Sequence, residues 1–154
     1  MIVCGVDPGQ SGAMAYLDGK TVVVVRFNKM TEHDIANQFK LLKASGREVI
    51  VMLESVHSFP GQGVVSTFKF GMGFGFLKGC LAATTIPYRL VIPMRWQREI
   101  GIQKRGKTET KSAFKLRMKG FAQRLYPEMK ITADMADAIL IMHYALTKKK
   151  EGIL

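Results

Sequence analysis

The chain has 154 residues, 47% of them hydrophobic and 23% charged, enough to bury the core of one domain but not to build two clamping lobes. Its 23 Lys and Arg against 12 Asp and Glu give a net charge of +11 and a pI near 9.9. That balance points to nucleic acid as a partner first and an anionic membrane surface second.

Ile2–Val6 is a short apolar run closed by Asp7-Pro8-Gly9, which predicts a buried strand ending in a turn. No basic region precedes it and an acid follows at once, so it does not read as a signal peptide. Ala13–Leu17 and Thr21–Phe27, split by Asp18-Gly19, predict a hairpin. The β-branched run Val22–Val25 predicts a central or well-covered strand. Thr31 is placed as a helix N-cap, with Glu32 and Asp34 in the favourable first turn, Ile35, Phe39 and Leu42 at helical spacing, and Ser45-Gly46 as the stop. Val49–Leu53 is a further apolar strand closing on Glu54, followed by a loop from His57 to Gly63. The longest uncharged stretch, Ser55 to Phe68, is rich in Gly, Ser and Pro and predicts no membrane span. Val64–Thr84 alternates small and large apolar residues too freely for a strand and predicts a long helix. Tyr88–Ile92 is a fifth strand before Pro93, and Met94–Ile100, Thr110–Leu125 and Ala133–Thr147 predict helices. A meander followed by alternating helices and strands implies an α/β fold, a mixed sheet with helices packed on it, in a single domain over 1–154. Two cysteines, Cys4 and Cys80, both in apolar runs, exclude a disulfide framework and a zinc set and point to a reducing, cytoplasmic compartment.

Charge concentrates in one segment. Between Arg89 and Lys130 stand twelve Lys or Arg against Glu99, Glu109 and Glu128. A solvated helical face explains single lysines, but a local excess of this size predicts contact with a phosphate backbone. Lys104, Arg105, Lys107, Lys111 and Lys115 are the candidate DNA-binding residues.

In so basic a chain the acids carry information. Asp18 belongs to a turn, Glu32 and Asp34 to a helix start, and Glu151 to the tail. Asp7 and Glu54 end strands, while Asp134 and Asp137 stand three apart on the last predicted helix and so share a face. Gathered together, such carboxylates would repel and raise one another's pKa. A divalent ion relieves this: Mg²⁺ accepts a few carboxylates plus waters and phosphate oxygens, and paired ions serve phosphodiester cleavage. Spacing alone leaves open that these are four unrelated surface acids.

The motifs Gly5-Val6-Asp7-Pro8-Gly9-x-Ser11-Gly12, Leu53-Glu54-Ser55-Val56 and Ala133-Asp134-x-x-Asp137-Ala138-x-Leu140 resemble, in order and over nearly the whole chain, the RuvC family of Holliday-junction resolvases in the ribonuclease H-like superfamily. Ser66-Thr67-Phe68-Lys69-Phe70-Gly71 through Gly75 and Gly79 is similar to that family's long helix after its catalytic Glu. Pro93-x-x-Trp96-Gln97 looks more like phage and viral members. The resemblance implies a ribonuclease H-like mixed five-stranded sheet flanked by helices, and a structure-selective DNA endonuclease that resolves four-way junctions and other branched DNA by paired symmetric nicks. It implies Asp7, Glu54, Asp134 and Asp137 as catalytic, metal-binding acids holding two Mg²⁺ ions, with Mn²⁺ substituting. It places an aromatic beside the crossover, where this chain has His57, with Phe59 two residues on; either ring could stack on an unpaired base. It also implies a homodimer through the helix bearing Gly71, Gly75 and Gly79, although packing of that glycine stripe inside the monomer is equally compatible with the sequence. Cys4 and Trp96 read as core.

Two other readings share some of these features. An actin or sugar-kinase type of nucleotide-binding fold also uses Gly-x-Asp-x-Gly-x-Ser, but encloses its nucleotide between two lobes. A non-catalytic architectural DNA-binding protein accounts for the charge but not for the register of four acids. Within the nucleases, a ribonuclease H or a non-specific branched-DNA nuclease is a further alternative.

Overall fold

In a computed structural model, described here for residues 1–9, 11–55, 57, 61 and 63–154, the predicted order of three strands, helix, strand, helix, strand and helices is found. The strands are β1 (Ile2–Asp7), β2 (Ala13–Asp18), β3 (Thr21–Arg26), β4 (Val49–Glu54) and β5 (Tyr88–Val91). The helices are α1 (Glu32–Ala44), α2 (Val64–Ala83), α3 (Pro93–Glu99), α4 (Lys111–Leu125) and α5 (Ala133–Lys150). They form a five-stranded mixed sheet in the order β3-β2-β1-β4-β5. Short turns make β1, β2 and β3 antiparallel, and the crossovers through α1 and α2 make β4 and β5 parallel to β1.

Strand alternation divides the core in two. Ile2, Cys4 and Val6 of β1 and Val49, Val51 and Leu53 of β4 face α1 and α2, where they meet Phe39, Leu42, Leu77 and Leu81. Val3 and Met52 face the other way, onto Trp96 of α3, Met118 and Ala122 of α4, and the inner side of α5. By the same period of two, Asp7 and Glu54 fall on the α5 side. Gly5 lies on that side too, and its missing side chain sets the packing distance. A Cβ there would stand 2.2 Å from the backbone nitrogen of Met142 and 2.6 Å from the carbonyl of Ala138. Glycine therefore lets α5 lie directly on β1.

Local signals act as expected at α1. Thr31 Oγ1 accepts from the Asp34 amide while the Asp34 carboxylate accepts from the Thr31 amide, a reciprocal capping box. The Cys4 and Cys80 thiols are free and buried, and burial pushes the Cys4 thiol up to about 12.

Three boundaries and positions differ from the sequence-based expectation. Pro93 opens α3 instead of merely preceding it, with Ile92 as N-cap, because proline lacks only an amide hydrogen that the first helical turn leaves unpaired. Helix α5 runs on past Thr147 to Lys150. More importantly, β3 is an edge strand rather than a central one, and Val22–Val25 are only half-buried. β-Branched residues suit any pleated, half-covered surface, so their run does not report position in the sheet. Here Val22 and Val24 rest against the α5 layer and Val25 against the other.

Candidate active site

Parallel pairing of β1 with β4 reaches Val6 opposite Leu53, so the next residues, Asp7 and Glu54, end adjacent strands on one face. Gly12 keeps the chain tight behind Asp7: a Cβ at Gly12 would lie 2.2 Å from the Asp7 carbonyl oxygen. Helix α5, drawn in at Gly5, brings Asp137 over the strand ends. The three carboxyls sense one another. Burial, then the neighbouring charges of Asp137 and Glu54, raise the Asp7 pKa well above its ordinary value. Burial, and after it Asp137, lift Glu54 to about 7 against the pull of its hydrogen bond from Trp96. Burial raises Asp137 as well. The opposing cation is Lys115 of α4, whose charge lowers both Asp7 and Asp137. The structure thus sets Lys115, read from sequence as a phosphate contact, facing the acids.

Asp134 is held differently. One turn before Asp137, it accepts a hydrogen bond from Thr132 Oγ1 and pairs with Arg26 Nη1 at 3.6 Å. The Thr132 hydroxyl, with Arg26 assisting, keeps its carboxyl below the ordinary range. Its place in the first turn of α5 favours the ionised form further. Asp7, Glu54 and Asp137 therefore form one coupled group, and Asp134 stands at its margin, already ionised.

Trp96, read from sequence as core, is fully buried, but its indole N–H donates to Glu54 Oε1 at 2.9 Å. The requirement that a buried indole find an acceptor was the available signal; which acceptor depended on packing. Arg26 and Thr132 carried no sequence signal of comparable kind. Helix α3, which carries Trp96, is tied to α5 through Lys148, whose ammonium lies 2.8 Å from Glu99.

The basic residues sort into two groups. Lys104, Arg105, Lys111 and Lys115 line one open cleft of about 370 Å³ with Met94, Gln97 and Phe114. Lys107 is exposed in the turn beyond it. That loop is braced from within: Arg117 binds the Glu109 carboxylate through two nitrogens at 2.9 Å each and reaches the Gln103 carbonyl at 3.1 Å. Arg105 also donates to the Glu109 carbonyl at 2.7 Å. His57 is exposed; Phe59 lies outside the described residues.

A divalent metal fits the chemistry of the acidic group but not as a ready-made cage. Among the described residues no three His, Cys, Asp or Glu are already arranged to hold an ion. The donors are nevertheless all carboxylate oxygens, the ligands Mg²⁺ and Mn²⁺ prefer, and three of them are held against their mutual repulsion. Mg²⁺ needs only one or two such carboxylates, with water and phosphate completing its shell.

Helix α2 presents the opposite picture. Val64, Val65, Phe68 and Met72 are exposed, and a Cβ built at Gly71, Gly75 or Gly79 would meet nothing within 4 Å. The glycine stripe consequently does not pack inside the monomer. A cleft of about 580 Å³, lined by Phe27, Met30, Ile35, Phe70 and Phe76 among others, opens beside it and contains none of the four acids. Among the described residues no helix is long and apolar enough to cross a membrane.

No protein-family model and no curated protein sequence matches the chain. Solved structures do. Thermus thermophilus RuvC superposes with a TM-score of 0.63 at 16% identity, covering 99% of this chain and 98% of that one. Thermus thermophilus RuvC in complex with Holliday junction substrate gives a TM-score of 0.68 at 16% identity, covering 99% and 96%. The yeast mitochondrial Holliday junction resolvase aligns at 15% identity over 96% of this chain and 80% of that one, with a TM-score of 0.46. The chain has the ribonuclease H-like α/β fold of RuvC, and the resemblance drawn from its motifs holds at the level of the fold.

Proposed function

We propose that this chain is a metal-dependent, structure-selective DNA endonuclease that resolves four-way junctions by paired nicks. The observation that carries the reading is the convergence of Asp7, Glu54 and Asp137 at the strand ends beneath α5, beside a cleft lined by four cations. Incidental surface acids would not be buried against one another, which disfavours the architectural reading. The RuvC neighbour bound to a Holliday junction is consistent with this assignment.

Asp7, Glu54 and Asp137, with Asp134 as the fourth acid, would hold Mg²⁺, two ions in the working site, with Mn²⁺ able to substitute. Metal bound there would supply the positive charge that polarises the scissile phosphate and makes an attacking water acidic. The protein's own contribution is positional. Trp96 fixes one oxygen of Glu54, and Thr132 and Arg26 orient Asp134. Lys115 offsets part of the acidic charge and presents an ammonium to incoming phosphate.

A homodimer completes the reading. A junction offers two equivalent strands, and one site per chain requires two chains about a two-fold axis. The open glycine stripe and the exposed Val64, Val65, Phe68 and Met72 of α2 support that helix as the joining surface.

The decisive assay incubates the protein with Mg²⁺, and separately with chelator, on labelled four-way, three-way, flap, duplex and RNA–DNA hybrid substrates. Paired nicks on the four-way junction, absent with chelator and absent in Asp137→Asn, are expected. Preferential cutting of the hybrid would assign a ribonuclease H instead.

A further inference from the structure

The cleft beside the acids has a composition that phosphate binding does not explain. It is lined by Met94, Phe114 and Gln97 together with Lys104, Arg105, Lys111 and Lys115. A surface that only tracked a backbone would need the cations alone. A volume of about 370 Å³ lies within the roughly 300–1,000 Å³ usual for small-molecule sites.

We infer that this cleft is a nucleotide subsite, in which a base next to the scissile phosphate lies against Phe114 and Met94 and is read by Gln97. The inference rests on the endonuclease reading and adds to it a source of cutting preference. Three features support it. Phe114 is held in place: the Arg117 guanidinium sits 4.9 Å from its ring centroid, and Arg117 is itself fixed by Glu109. A base would lie on the side of the ring turned away from Arg117, as aromatic rings accept unstacked bases. Gln97 carries a donor and an acceptor side by side, the pair that discriminates base edges.

Two residues connect the cleft to the acids. Gln97 follows Trp96, which binds Glu54, and Lys115 both lines the cleft and faces Asp7 and Asp137. A strand with its phosphate at the acids would therefore set a neighbouring base at this cleft, with the lysines that line it on the adjoining phosphates.

The test compares wild type with Gln97→Ala on four-way junctions carrying each base in turn at the positions flanking the cut. Wild type is expected to prefer one base at one position by about tenfold or more, the discrimination one bidentate amide contact supplies. In Gln97→Ala the ratio between best and worst base should fall to within about twofold. In parallel, 2-aminopurine is placed at each flanking position and its fluorescence followed on binding without metal. A rise at one position, as that base leaves the stack, should be lost in Phe114→Leu, which keeps apolar bulk but removes the flat ring. Junction cleavage with no base preference, or a preference that survives Gln97→Ala, overturns the subsite and leaves the endonuclease reading intact. A localised 2-aminopurine rise without nicking of any substrate supports the subsite and overturns the endonuclease reading. Neither nicking nor a localised rise overturns both.

Discussion

Helices α2 and α5 are both long and rich in apolar residues, yet the chain treats them in opposite ways. Helix α5 is buried along most of its length, with Ala136, Ala138 through Met142, Tyr144 and Ala145 out of solvent, and it lies on β1 at the distance Gly5 allows. Helix α2 buries only Leu77, Cys80 and Leu81, all in its second half, and leaves Val64, Val65, Phe68 and Met72 exposed. Both regions use glycine, but for different ends. In β1 glycine removes a clash with a helix of the same chain; in α2 all four glycines, Gly71, Gly73, Gly75 and Gly79, face open space. Apolar content alone therefore does not say whether a surface is satisfied within the chain or awaits a partner.

The largest expected effect tests the α5 side. Gly5→Ala places a methyl group onto immovable helix backbone, so a loss of about 3 kcal/mol or more is expected in denaturant unfolding, at the upper end for overpacking. Gly75→Ala, the same chemical change on α2, should instead stabilise the dilute protein by up to about 1 kcal/mol, the difference in helix propensity. Equal destabilisation at the two sites would erase the contrast.

Gly75→Leu sharpens the α2 side. Added volume on the stripe should abolish the dimer in sedimentation and the pairing of nicks on a junction, without lowering the melting temperature of the dilute monomer. Should wild type sediment as a monomer both free and on DNA, yet still produce paired nicks, α2 is not the joining surface.

The site beneath α5 also makes a prediction about pH. Glu54 titrates near 4.5 when unperturbed and near 7 when folded, so between these values the folded chain binds the extra proton. Its contribution to stability is present below about pH 4.5 and is lost as pH rises through about 7, by up to about 3 kcal/mol. Unfolding of metal-free wild type and Glu54→Gln across pH 4 to 8 should show this slope in their difference. Mg²⁺ should restore the stability of wild type at pH 8 more than that of the variant. A difference that does not change with pH would place Glu54 outside the coupled group.

The smallest effect belongs to the exposed turn that precedes α4. Lys107→Ala should lower the log–log salt slope of junction binding by about 0.9, the share of one phosphate contact, with a modest loss of affinity. An unchanged slope would make Lys107 a solvated side chain.

Much of this is legible in the sequence alone. The five strands follow from apolar runs and turn residues, α1 from its capping box, and the motifs around Asp7, Glu54 and Asp137 from their register. What the sequence left undecided shares a cause. Val22–Val25 announced a strand, but edge or centre depends on which other strands pair with it. Trp96 announced burial, but its acceptor lies on β4, 42 residues away in sequence.

The sequence by itself determined the elements, the α/β class and the basic character, because local propensity, alternation and net charge are properties of short segments or of sums. Only the tertiary structure decided that Asp7, Glu54 and Asp137 are coupled while Asp134 is held apart by Arg26 and Thr132, and that Lys115 faces the acids. Electrostatic coupling falls with distance and rises with burial, and both are set only when α4 and α5 close over the sheet. The glycine stripe was decided in the same way: its periodicity is written in the chain, but whether it faces a neighbour depends on which side of α2 the sheet leaves uncovered.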